Sequence, residues 1–196
     1  MSDAPIVIKV GGSLFDLADL GARLRSWLGA LHRRELILVP GGGPTAEVVR
    51  DMDRLHRLGE QPSHWLALRA LSLNTHLLAR VLSRSVRAHV IEDLNERWEA
   101  WRQPGPPILD PLAFALADES SAAHLPHCWE VTSDSIAGRV ALVVQARELI
   151  LLKSVTIPPA MGWAEASRLG YVDRYFPTVV DQGVVARAVN LREWRP

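Results

Sequence analysis

The stretch Pro5-Ile6-Val7-Ile8-Lys9-Val10-Gly11-Gly12-Ser13 reads as a strand that runs straight into a tight glycine turn. A short unbroken run of β-branched, apolar residues suits a strand buried on both faces, as in parallel sheets covered by helices. Glu35-Leu36-Ile37-Leu38-Val39 repeats the pattern and ends in Pro40-Gly41-Gly42-Gly43-Pro44. Leu149-Ile150-Leu151-Leu152 repeats it again and ends at Lys153. Helical patterns lie between these strands. One starts at Asp16 as N-cap and carries Leu17, Leu20, Leu24, Trp27, Leu28 and Leu31 at three- and four-residue steps. Others cover 45–56, 62–83 and 134–146, with Pro44 at a helix start, where proline is tolerated, and Ser133 or Asp134 as an N-cap. Weaker signals place strands at 88–91, 108–109 and 184–189, and short helices at 95–101, 112–117 and 163–169. Buried strands alternating with helices predict an α/β fold, a three-layer αβα sandwich with a mostly parallel central sheet. Ligands of such sheets sit beyond the carboxyl ends of the strands.

The chain has 196 residues, 48% of them hydrophobic, enough for one well-buried core, so a single domain over 1–196 is expected. Lys+Arg and Asp+Glu both number 22, and the zero balance argues against an electrostatic grip on nucleic acid or an anionic membrane. The single cysteine, Cys128, excludes an internal disulfide and points to the cytoplasm. Met1 to Asp3 lead directly into the first strand with no signal-peptide pattern, and no window reaches about 18 uninterrupted apolar residues.

Of the 22 basic side chains only two are lysine, Lys9 and Lys153, and both stand at the carboxyl ends of buried strands. Elsewhere arginine serves for solvated positive charge, so the two lysines ask for a separate reading. A lysine is a compact, mobile point charge, suited to a phosphoryl group that moves. Gly11-Gly12-Ser13 and Gly41-Gly42-Gly43 form a matched pair of turns, each able to aim backbone N–H groups at an anion. One would hold nucleotide phosphates and the other the acceptor; two structural turns without ligand are the plainer alternative. Neither turn is GxxxxGK(S/T) or GxGxxG, which lowers both a P-loop enzyme and a dinucleotide-binding domain. Asp134, at a loop beside the lysines, can orient their ammonium groups or meet the magnesium that accompanies ATP.

Together VIKVGGSL (7–14), LILVPGGG (36–43), VTSDSIAGRVA (131–141) and ELILLKSV (148–155) resemble the amino acid kinase superfamily. The resemblance implies an αβα sandwich on a largely parallel, eight-stranded sheet. It also implies a kinase that moves the γ-phosphate of ATP, with Mg2+, onto an oxyanion acceptor, a phosphate or carboxylate. Lys9, Gly11, Gly12, Ser13, Lys153 and Ser154 would face the nucleotide. Gly41, Gly42, Gly43, His64 and Ser133 would face the acceptor, and Lys9, Asp134 and Lys153 would be catalytic. Many members read TDV where this chain has Lys153-Ser154-Val155, and a later GMxxK-like lysine has no counterpart in Gly183-Val184-Val185-Ala186-Arg187. The chain has no room for the long acceptor-covering hairpin of acetylglutamate kinase. SHWLAL (63–68), WEVTSDSIA (129–137) and GYVDRYFP (170–177) resemble a short subgroup that phosphorylates an aminomethyl-furan methyl phosphate in methanofuran biosynthesis. The family adds an expectation of a homodimer or higher homo-oligomer. A non-catalytic nucleotide-binding or storage subunit on the same fold is the competing reading.

His124, His127 and Cys128 lie close together but match no zinc spacing, so no metal ligand is assigned. His64 and Trp65 are adjacent on a helix and are expected to face apart. Trp98 and Trp101, three apart, suggest an aromatic patch.

Overall fold

The computed structural model describes residues 4–32, 35–83 and 88–195; Met1 to Asp3, which the sequence reading runs into the first strand, lie outside them. The strands are β1 (Ile6–Val10), β2 (Leu36–Pro40), β3 (His89–Ile91), β4 (Pro107–Leu109), β5 (Glu148–Lys153) and β6 (Ala186–Asn190). They form one six-stranded sheet in the order β3-β4-β2-β1-β5-β6, and every pairing is parallel. The eight strands implied by the family resemblance are therefore six among the described residues. The chain leaves β1 toward β2 on one side and later returns to β5 on the other. The carboxyl end of β1, where Lys9 stands, is thus the point where the strand order reverses, and open α/β sheets bind ligands there.

The helices are α1 (Leu20–Ala30), α2 (Gly43–His56), α3 (Glu60–Leu82), α4 (Arg97–Ala100), α5 (Pro111–Asp118), α6 (Ser133–Val143), α7 (Trp163–Arg168) and α8 (Phe176–Val180). Alternation along the strands sorts them into two layers. Val7, Ile37, Val39, Leu149 and Leu151 pack with Phe114 of α5, Ile136 and Val140 of α6, and Phe176 of α8. Ile6, Ile8, Val10, Leu38, Ile150 and Leu152 pack with Leu20, Leu24 and Trp27 of α1 on the other face. The long α3 contributes Leu68 and Leu71 to the first cluster and Leu78 and Leu82 to the second. Between them Asn74 reaches the triple-glycine turn. No described helix is long and apolar enough to cross a membrane.

Four local expectations need correction. The helix expected from Asp16 begins at Leu20. Residues Gly12–Asp16 instead form a 3-10 turn, closed by an extended Leu17, and Asp16 is held by Arg192 rather than capping. The N-cap position of α6 is Thr132, not Ser133 or Asp134, and its side chain makes no cap hydrogen bond. The helix stops at Val143 rather than Ala146, with Gln145 in the left-handed region. His64 and Trp65 do not face apart: their rings meet edge to face at 5.6 Å, and both pack on His127. Trp98 and Trp101 do form an aromatic pair, 5.2 Å between centroids.

Candidate active site

Lys9 and Lys153 project from neighbouring strands onto the same face of the sheet, the one covered by α6. In register, Lys9 lies opposite Leu151, two residues before Lys153, so alternation gives both lysines the same side. The first turn of α6 supplies Asp134 between them. Lys9 Nζ is 2.9 Å from Asp134 Oδ1, and Lys153 Nζ donates to Oδ2 at 2.6 Å. All three are buried, at 5%, 8% and 4% exposure. Burial alone would raise the Asp134 pKa, but the Lys153 and then the Lys9 ammonium group overcome it and hold the carboxyl at about 2. Burial also dominates at Lys153, and with the charge of Lys9 it outweighs the attraction of Asp134, bringing its pKa down to about 8. The cluster holds more positive charge than Asp134 offsets, which suits an incoming anion.

Asp173 fixes the position of Asp134. Its carboxylate accepts from Thr132 N (3.0 Å), Thr132 Oγ1 (2.8 Å), Ser135 N (3.0 Å), Ser135 Oγ (2.5 Å) and Phe176 N (2.9 Å). It thus satisfies the start of α6 from a distance and joins it to α8. Burial, reinforced by the charge of Asp134, raises the Asp173 pKa. In the sequence Asp173 stands out only as part of GYVDRYFP (170–177), with no role of its own. Its Thr132 and Ser135 partners are some 40 positions away, and no local spacing announces them.

The two glycine turns touch. A Cβ on Gly12 would strike the backbone of Gly42 and Gly43, and one on Gly41 would strike Gly12 N. Gly43 has φ +51°, and a Cβ there would collide with the Gly12 carbonyl. Gly11 is pinned to β5 through its N–H to Leu152 O at 2.9 Å. Asn74 Nδ2 clasps the second turn, reaching Gly41 O (2.7 Å), Gly42 O (2.6 Å) and Thr45 Oγ1 (2.9 Å). The first turn is held by Arg192, which donates to Ser13 O at 2.9 Å, and by a Ser13 Oγ–Ser154 Oγ hydrogen bond of 2.8 Å. Gly12 opens a 3-10 turn and Gly43 opens α2, so the leading N–H groups of both meet at one place.

Two cavities adjoin here and share Lys9, Gly12, Ser13 and Thr132 as a common wall. The smaller, about 340 Å³, lies on the β5 side, with Gly11, Asp134, Lys153 and Ser154 in its lining. The larger, about 750 Å³, lies on the α2 and α3 side, with Gly42, Gly43, His64, Ser133, Arg50 and Trp129. Gly41 lines neither. The larger cavity has an aromatic wall: the Arg50 guanidinium sits 4.3 Å from the Trp129 ring centroid, and Trp129 Nε1 donates to Asp53 at 2.7 Å. Burial, with the neighbouring His127, brings the His64 pKa down to about 4, so His64 is neutral at neutral pH.

The arrangement fits a nucleoside triphosphate, with two ammonium groups and two N–H-bearing turns at one rim. It offers little to a bare metal ion. Both Asp134 oxygens face lysines and the Asp173 carboxylate is taken up by donors, so a magnesium ion would ride on the phosphates rather than on a protein carboxylate.

The chain is 27% identical over 151 residues to [5-(aminomethyl)furan-3-yl]methyl phosphate kinase of Methanocaldococcus jannaschii. The match takes in 76% of this chain and 65% of that protein, just under two thirds of the relative's length. Its fold is similar to that of uridylate kinase from Archaeoglobus fulgidus, with a TM-score of 0.64 at 15% identity, over 94% of this chain and 90% of that one. It is also similar to aspartate kinase from Synechocystis, with a TM-score of 0.64 at 14% identity, over 94% of this chain and 38% of that one. Residues 4–156 match the amino acid kinase family, and the chain belongs to that family.

Proposed function

We propose that this chain, acting as a single catalytic unit, transfers the γ-phosphate of ATP to an oxyanion on a small acceptor. The observation that carries the reading is the Lys9–Asp134–Lys153 bridge at the wall between two cavities. The smaller cavity would take the nucleotide phosphates, against Lys9, Gly11, Gly12, Ser13, Lys153 and Ser154. The larger would take the acceptor, against Gly42, Gly43, His64 and Ser133, with Gly41 shaping the turn from behind. Lys9 stands at the shared wall, where the transferred group would pass.

In-line phosphoryl transfer needs positioning and charge neutralisation more than covalent chemistry. Lys9 and Lys153 offset charge on the bridging and terminal oxygens, and Asp134 keeps the two ammonium groups from splaying apart. The leading N–H groups of the touching turns donate to the equatorial oxygens. Mg2+, bound together with the nucleotide, would supply further charge neutralisation. A phosphate or carboxylate acceptor is already ionised at neutral pH, so no general base is required.

The likeness to the Methanocaldococcus jannaschii enzyme supports an aminomethyl-furan methyl phosphate as acceptor. Arg50 and Lys9 suit its phosphate, and Trp129 and His64 suit its flat ring. We place the protein in the cytoplasm, where ATP is at hand. We also read it as a homodimer or higher homo-oligomer. α2 buries none of its side chains, and Val48, Met52 and Leu55 form an exposed apolar stripe along it at helical spacing.

The test is ADP release on mixing the protein with Mg-ATP and aminomethyl-furan methyl phosphate. Acceptor-dependent ADP formation is expected. ATP binding with no ADP formed, with this or other small phosphates and carboxylates, would favour a nucleotide-storage subunit.

A further inference from the structure

Three ligand-type side chains meet on the loop between α5 and α6. Glu119 follows α5 directly, and His124 and His127 come from the next turns. One donor atom from each lies within 4.8 Å of the others. His127 Nε2 is 2.8 Å from Glu119 Oε1, and His124 Nδ1 is 3.9 Å from the same oxygen. These three residues border a cavity of about 20 Å³ whose floor includes Phe114 and Ile136. That is room for one small ion or water.

The loop is built, not loose. Arg139 of α6 donates to both Asp118 oxygens, at 2.8 and 2.7 Å, and to Ser121 Oγ at 2.9 Å. Ser121 Oγ accepts from Ala123 N, and His124 N donates to Ser121 O. The donors are therefore presented from a loop fastened to the helix that carries Asp134.

We propose that Glu119, His124 and His127 form a binding site for a divalent transition metal such as Zn2+. Two imidazole nitrogens and one carboxylate oxygen suit Zn2+ and its neighbours, and three protein ligands leave a fourth position for water. The set does not suit Mg2+, which demands oxygen donors in an octahedron. An ion here replaces the direct His127–Glu119 hydrogen bond and, by taking the His124 Nδ1 lone pair, also the 3.1 Å bond that this nitrogen makes to Leu125 O. It also fixes the His127 ring, which stacks on His64 at 4.9 Å, and His64 lines the larger cavity. The ion thus braces one wall of the proposed acceptor site.

Sequence spacing alone does not reveal the set. His124 and His127 are visible in the chain, but the third donor is Glu119, brought in by the end of α5, and not the adjacent Cys128.

The test contains no nucleotide, so it is independent of the proposed reaction. Full-length protein without a histidine tag, stripped with EDTA, is titrated with Zn2+ by calorimetry. One equivalent is expected to bind. His124→Ala and Glu119→Gln should each weaken binding by about tenfold or more, while Cys128→Ser should leave it unchanged. Both His124 and Glu119 are exposed, and circular dichroism checks that the variants stay folded. No binding by the unaltered protein, equal binding by His124→Ala and Glu119→Gln, or loss on Cys128→Ser each overturns the proposal.

Discussion

Lys9 and Lys153 carry like charges on adjacent strands, and Asp134 alone stands between their ammonium groups. Lys153 keeps its proton weakly: burial first, and then the charge of Lys9, bring its pKa from 10.5 to about 8. The ammonium form is present below that value and is lost as pH rises through it. If the ammonium group neutralises phosphate charge, kcat/KM for ATP falls as pH rises above about 8, because that parameter follows the free protein. In kcat the falling limb moves to higher pH, since bound triphosphate favours the charged lysine. In Lys153→Arg the guanidinium stays protonated and the limb disappears. A pH–rate series on the two proteins checks this; the same falling limb in Lys153→Arg would take Lys153 out of the explanation. These two lysines were legible in the sequence because arginine serves almost everywhere else, so their placement at strand ends stood out. Asp173 and Asn74 were not legible. Asp173 caps a helix some 40 residues away, and Asn74 bonds two carbonyls more than 30 residues away.

At the scale of elements, two strand-to-helix turns press against each other so closely that their glycines are required for packing before any ligand arrives. Gly43 combines a left-handed φ of +51° with a Cβ position blocked by the Gly12 carbonyl. Gly43→Ala should lower stability by about 1–3 kcal/mol from backbone strain and push the turns apart, so turnover falls as well. Gly29 provides the contrast: it lies within α1, and a Cβ there meets nothing within 4 Å. Gly29→Ala should be neutral or stabilising by up to about 1 kcal/mol. Thermal unfolding of the pair measures both, and equal melting temperatures would contradict the packing account. The buried strands were readable from their unbroken apolar runs, and the central elements lie where those runs put them. Element starts were less readable. Asp16 has the chemistry of an N-cap, yet an extended Leu17 delays the helix to Leu20. The short α8 carries little periodicity of its own; it buries Phe176 and Val179, and its first N–H goes to Asp173.

For the molecule as a whole, the parallel sheet, six strands among the described residues, with helices on both faces, brings the end of β1 between the ends of β2 and β5. That strand order places segments far apart in the chain at one rim: a lysine and a glycine turn from residues 9–13, a second turn from 41–43, a carboxylate from 134 and a lysine from 153. The alternation of strand and helix made the layered fold predictable, and matched motifs made the family recognisable. The number of strands did not follow from the resemblance: it implied eight, and the described residues form six. The second cavity wall, built from Arg50 and Trp129 with the indole N–H tied to Asp53, arises from α2 meeting the segment before α6, a contact the sequence does not encode locally. The central claim is that these pieces converge to carry a phosphoryl group between two cavities. The most direct measurement is steady-state, acceptor-dependent ADP formation by Lys9→Ala beside the unaltered protein, with folding verified by circular dichroism. The account predicts a fall of about a hundredfold or more in rate; turnover within a few-fold of the unaltered protein would contradict it.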